Sequence, residues 1–106
     1  MAYGRRMAGR DFSFTAEVRE HDGSAAWFFI GLPEAEADDI EERFGAAAGG
    51  FGSIRVEVTI GVTCWRTSLF PDAKNATYVL PVKKAVRVAE GLEHGSLAAV
   101  RLTVIA

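Results

Sequence analysis

With Cys64 as its only cysteine, this chain of 106 residues has no intrachain disulfide and must hold its fold with a hydrophobic core. The neighbours Val62 and Trp65 give Cys64 the surroundings of a buried small hydrophobe rather than a reactive thiol. His21 and His94 lie far from each other and from Cys64, so the ligand clustering of a metal site is absent. No run approaches the roughly 20 apolar residues that a membrane helix needs. The opening MAYGRRMAGRDF has arginines with no apolar segment behind them, so neither a secretory signal nor a membrane partner is expected and the expected location is cytoplasmic. On that location, the sequon-like Asn75-Ala76-Thr77 is a coincidence of composition. The segment GGFG at 49–52 does not run into the Lys-Ser/Thr of a phosphate loop, and Ser68 has no nucleophile-elbow glycines and no histidine near it in sequence. No cofactor, no metal and no enzymatic activity are therefore expected.

What is present is a globular composition, 49% apolar and 25% charged, enough for one modest core. The net charge of −2 conceals a polarity: residues 1–11 carry three Arg and one Asp, 12–62 carry three Arg against ten acids, and 63–106 carry six bases against three acids. Such a distribution points to complementarity between two halves or two copies, and away from wholesale nucleic-acid binding. Residues 1–11, without apolar periodicity, read as a flexible tail, and 12–106 as a single domain.

Period-2 alternation marks 12–20 as a strand with Phe12, Phe14, Ala16 and Val18 on one face. Asp22-Gly23 is the preferred centre of a two-residue type I′ hairpin. That register sets Val18 opposite Trp27, Ala16 opposite Phe29 and Phe14 opposite Gly31. Trp27 is then a core residue, while Phe28 and Ile30 form an outer apolar face that needs cover from a helix or from another subunit, as in a homodimer. Pro33 opens an acidic helix with Ala37, Ile40 and Phe44 as its apolar stripe and Gly45 as its stop. Its acids, Glu34, Glu36, Asp38, Asp39, Glu41 and Glu42, spread around the circumference and read as a solvated face rather than a carboxylate site. Residues 46–52 form a loop, and 53–62 the clearest strand, with Ile54, Val56, Val58, Ile60 and Val62 alternating inward and Gly61 as a bulge. A turn around Pro71, Asp72 and Asn75 leads to a strand at 77–80. Pro81 then opens a second helix with Val82, Ala85, Val86 and Ala89 on one face, Gly91 ends it, and 97–105 is the last strand. Leu32-Pro33 and Leu80-Pro81 occupy matching places, as if two βα half-units repeat. The fold class is mainly β with two short helices, a small barrel closed at its ends by the helices.

Four stretches, FSFTAEV with AAWFFIGLP, FGSIRVEVTIG, CWRTSLFPD with TYVLPVKKAVR, and EGLEHGSLAAVRL, resemble the small bacterial family called Domain of Unknown Function nineteen-oh-five. Together they span most of 12–104. The resemblance implies a double-split β-barrel with AbrB-like half-units, a fold shared with AbrB-type DNA-binding regulators and MazE-like antitoxins. In it, LPVKKAVRVAEGLEHGS plays the Pro-helix-Gly-turn module. Where the family commonly has Asp after the turn glycine, this chain has Ser96.

The group most suggestive of a site is basic and aromatic: Trp65, Arg66, Ser68, Tyr78, Lys83 and Arg87. Lys83 and Arg87 share a helical face, and Arg66 and Ser68 share a strand face. Read functionally, they contact a small anion at a helix start. Read structurally, which the pattern favours, Trp65 and Tyr78 are core and the bases solvate the second helix or pair with the acidic one. The expected function is a non-enzymatic binding or interaction domain whose partner is a small anionic molecule or a protein. An AbrB-type nucleic-acid-binding regulator is the alternative, and an enzyme without a recognisable motif ranks third.

Overall fold

The computed structural model describes residues 9–21, 27–47 and 52–105. In chain order these form β1 (Asp11–His21), β2 (Trp27–Gly31), α1 (Glu34–Phe44), β3 (Ile54–Ile60), β4 (Thr63–Asp72), β5 (Thr77–Pro81), α2 (Lys84–Glu90) and β6 (Leu97–Val104). The strands close an antiparallel barrel in the order β1-β2-β5-β4-β3-β6. Two long strands change partners midway. β1 pairs β6 over Asp11 to Glu17 and β2 over Val18 to His21. β4 pairs β3 over Thr63 to Leu69 and β5 over Phe70 to Asp72.

The β3 and β4 alternation defines the core. Ile54, Val56, Val58 and Ile60 point inward, and the two-residue connection Gly61-Val62 sets Ile60 opposite Thr63 and Val58 opposite Trp65. Gly61 has φ +61°, the left-handed backbone that glycine adopts without strain, so it makes a tight turn and not a bulge. The expected inward place of Val62 is corrected: it sits on the turn, 96% exposed. The same register turns Cys64 outward opposite Thr59, so Cys64 is an exposed thiol and not a buried hydrophobe. The remaining core includes Val18, Ile30, Leu69, Tyr78, Leu80, Val100, Leu102 and Val104 of the other strands, with Ile40, Val82 and Val86 from the two barrel caps.

The β1–β2 register differs from expectation. Val18 lies opposite Ile30 and His21 opposite Trp27. The expected two-residue turn at Asp22-Gly23 lies outside the described residues, but five residues separate the two strands. Compared with a two-residue turn the pairing is displaced by three positions. Because side chains alternate with period 2, an odd displacement exchanges the faces. Ile30 is therefore fully buried, Phe28 is half-buried against the core, and Trp27 is 40% exposed rather than central. The face expected to lie outside, carrying Phe28 and Ile30, is the inner one.

α1 begins after extended Pro33 and buries Ala37 and Ile40, as its stripe predicts. Gly45 keeps a right-handed φ of −59°, so the chain continues into a 3-10 turn, Gly45–Ala47. The rest of the loop expected at 46–52 lies, over 48–51, outside the described residues. α2 buries Val86 and ends at Gly91 with φ +64°. Ala85 and Ala89, assigned to its apolar face, are exposed, because a seven-residue helix seated through Val82 and Val86 covers only a narrow strip of the barrel. After the turn glycine Gly95, the Ser96 hydroxyl accepts the Glu93 N–H at 2.9 Å and so closes the turn.

Of the expected tail, Asp11 belongs to β1 and receives a 2.7 Å hydrogen bond from the Thr103 hydroxyl, and the Gly9 carbonyl accepts from Arg43. Residues 1–8 lie outside the described residues. Among the described residues, no helix is long and apolar enough to cross a membrane.

Candidate functional site

β2 and β5 lie side by side around the pair Ile30 and Leu80, and the ladder continues past both strand ends. The Leu32 N–H donates to the Tyr78 carbonyl and the Val82 N–H to the Phe28 carbonyl, both at 3.0 Å. The two joints noticed in sequence thus stand in matching positions across one strand pair. Each helix folds back over the aromatic residue of the opposite strand: α2 brings Arg87 to Phe28, and α1 brings Glu41 to Tyr78.

The two places differ in charge. At the Phe28 end a cavity of about 240 Å³ opens between β2, β4 and the start of α2. Phe28, Trp65, Pro81 and Val82 give it apolar walls, Trp27 stands at its rim, and Arg66, Lys83 and Arg87 surround it with cations. Both tryptophans of the chain line this one cavity. Arg87 is held in place: its guanidinium carbon lies 3.7 Å from the Phe28 ring centroid and its Nε donates to the Val82 carbonyl at 3.2 Å. Arg66 reaches the Glu57 carboxylate only at 3.5 Å, with both side chains largely in water, an ion pair of little net strength. Lys83 has no ion pair among the described residues. Among the described residues, the lining contains the Thr67 hydroxyl and the Lys83 amine but neither a carboxylate nor a histidine to act as their base.

At the Tyr78 end a cavity of about 290 Å³ is bordered by Asp38, Glu41 and Asp72. The buried Tyr78 hydroxyl donates to Glu41 Oε1 at 2.5 Å. Burial, and then the carboxylate that accepts its proton, push the phenol well above its usual range. A third hollow, about 350 Å³, lies between Phe29, Val79, Arg19 and Asp72 with mixed charge. It is the largest of the three, but it concentrates neither one sign of charge nor aromatic walls. Among the described residues, no three His, Cys, Asp or Glu side chains gather as a metal site.

Of the six residues singled out in sequence, Trp65, Arg66, Lys83 and Arg87 line the basic cavity. Tyr78 lies at the acidic end. Ser68 shares the outer face of β4 with Arg66 but stands opposite Arg55 and does not line the cavity. The structural reading holds for Tyr78, which is core, and for Trp65, which packs against the core, while Arg87 lies on Phe28 rather than on the acidic helix. The main acid partner within α1 is its own Arg43, which takes both oxygens of Asp39 at 2.8 and 2.9 Å. Sequence reasoning missed Trp27, Phe28, Thr67, Pro81 and Val82. The repeated Leu-Pro joint was the usable signal: pairing the two joints side by side brings Phe28 beside Val82 and under α2.

No curated protein matches the chain. Residues 14–102 match the family described as Domain of unknown function (DUF1905), and by that match over most of its length the chain belongs to this family.

Proposed function

We propose that this protein is a non-enzymatic binding domain that takes a small anionic ligand in the cavity between Phe28, Trp65 and α2. The observation that carries the reading is the meeting of Arg66, Lys83 and Arg87 around one aromatic-walled cavity in a chain whose overall charge is −2. A locally positive concavity of this kind attracts anions whatever the net charge. The binding groups are side chains. At seven residues α2 is too short to add a useful dipole of its own. Binding rather than chemistry is supported by a lining that, among the described residues, pairs no nucleophile with a base.

The finer reading of the fold belongs to the same proposal. The barrel is a double-split one with AbrB-like half-units, β1-β2-α1-β3 and β4-β5-α2-β6. Its support is the partner change midway along β1 and β4, and the fact that exchanging the two units leaves every neighbour in the barrel order unchanged.

The test is isothermal titration calorimetry with a panel of small carboxylates and phosphates against the wild-type, Lys83→Glu and Arg66→Glu proteins. Both positions are exposed, so neither substitution reaches the core. The expected result is binding to at least one anion that weakens with added salt and is lost in both variants. Binding that survives both charge reversals overturns the reading.

A further inference from the structure

We infer that the ligand of this cavity is a flat aromatic anion, a ring system carrying one carboxylate or phosphate, and not a bare inorganic ion or an aliphatic acid. This rests on the anion-binding reading above and adds to it the requirement for a ring. A site for inorganic phosphate surrounds the ion with converging donors. Here three cations, exposed Arg66 and Lys83 and half-buried Arg87, share the lining with three aromatic side chains, Phe28, Trp65 and Trp27. Phe28 is already covered by Arg87, but the two indoles, which give an anion nothing, stack with a planar ring.

Trp27 is the second reason. A tryptophan held 40% exposed is costly to leave in water, and it is fixed there by rings on its own face: Phe29 at 4.9 Å and His21 at 6.0 Å between centroids. The indole is therefore a preordered platform at the cavity mouth, which reduces the ordering entropy that a ligand must overcome. Arg87 is preordered as well, by Phe28 beneath it and the Val82 carbonyl beside it. A cavity of about 240 Å³ has room for one or two fused rings with an acid group, and not for a polymer segment.

A free aromatic acid and a mononucleotide present the same chemistry, and the arms of the test separate them. The probes are 2-naphthoate, adenosine monophosphate, cyclohexanecarboxylate and inorganic phosphate. They are titrated into the full chain by calorimetry and by the quenching of tryptophan emission, which reports on this cavity alone because both tryptophans line it. The expected result is that 2-naphthoate or adenosine monophosphate binds about tenfold or more tighter than the non-aromatic acid and phosphate, with quenching. Trp27→Ala is expected to lower that affinity about tenfold, and Trp27→Phe to restore most of it. Whichever aromatic probe binds tighter identifies the source of the ring. Cyclohexanecarboxylate or phosphate binding as well as the aromatic probes, yet still lost in Lys83→Glu, overturns the ring requirement and leaves the anion site standing. Aromatic binding indifferent to Lys83→Glu and Arg66→Glu overturns both.

Discussion

Phe28 and Tyr78 hold matching positions on β2 and β5, each with its carbonyl accepting from the residue just beyond the end of the other strand, and one hydroxyl separates their fates. Phe28 offers only a ring face and receives the Arg87 guanidinium; Tyr78 offers a donor and receives the Glu41 carboxylate. The phenol has a pH consequence. Its folded-state pKa is raised, so the folded protein keeps the proton where the unfolded chain releases it. The stabilisation is complete below the ordinary tyrosine pKa of about 10 and is lost as pH rises above it. Tyr78→Phe is expected to cost about 1.5–3 kcal/mol at pH 7, the scale of a hydrogen bond to a charged acceptor. In urea unfolding at a series of pH values, the gap between wild type and Tyr78→Phe should be constant from about pH 7 to 9 and narrow above about pH 10. A gap that widens there would contradict the assignment of Tyr78 as the bound donor.

At the scale of elements, the β1–β2 pairing separates what could be read from sequence and what could not. The alternation in β1 and β3, the acidic helix and the glycine end of α2 were all legible, because each is a local period or a local backbone preference. The register of β2 was not. In WFFIG the first four residues are large and apolar, so the segment has no polar face to choose its orientation, and the Asp-Gly signal pointed to a shorter turn than the chain uses. The test is a pair of truncations. Ile30→Ala removes a fully buried side chain and is expected to cost roughly 2–5 kcal/mol, whereas Trp27→Ala is expected to cost less than about 1 kcal/mol, because the indole lies outside the core. The reverse order in chemical denaturation would restore the two-residue register. The candidate site divides in the same way: the cations and Trp65 announced themselves by spacing, while Phe28 and Trp27 reached the cavity only through strand pairing distant in sequence.

For the whole molecule, charge decides between the small-anion reading and its nucleic-acid alternative. Phosphate backbones are held by many cations at once, and each contact adds to the salt dependence. This chain gathers three cations at one cavity and sets an acidic helix and the Asp38, Glu41 and Asp72 group elsewhere on the same small surface. Duplex DNA is therefore expected to bind no tighter than the ordinary non-specific range of roughly 10⁻⁴ to 10⁻⁶ M at physiological salt, measured by fluorescence anisotropy across a salt series. Nanomolar affinity with a steep salt slope, abolished by Lys83→Glu, would favour the regulator instead.

The midway change of partners along β1 also governs how the barrel comes into being. Its second part meets β2 as a nearby hairpin, but its first part waits for β6, with Asp11 pairing Thr103 across 92 residues. β3 likewise lies between β4 and β6, both contributed by the later half of the chain. On an elongating ribosome neither half can satisfy its own backbone, and the open edges of β1 and β3 stay available to other chains until the last strand emerges. Closure is then a late event dominated by distant pairings, which makes folding slow for so short a chain.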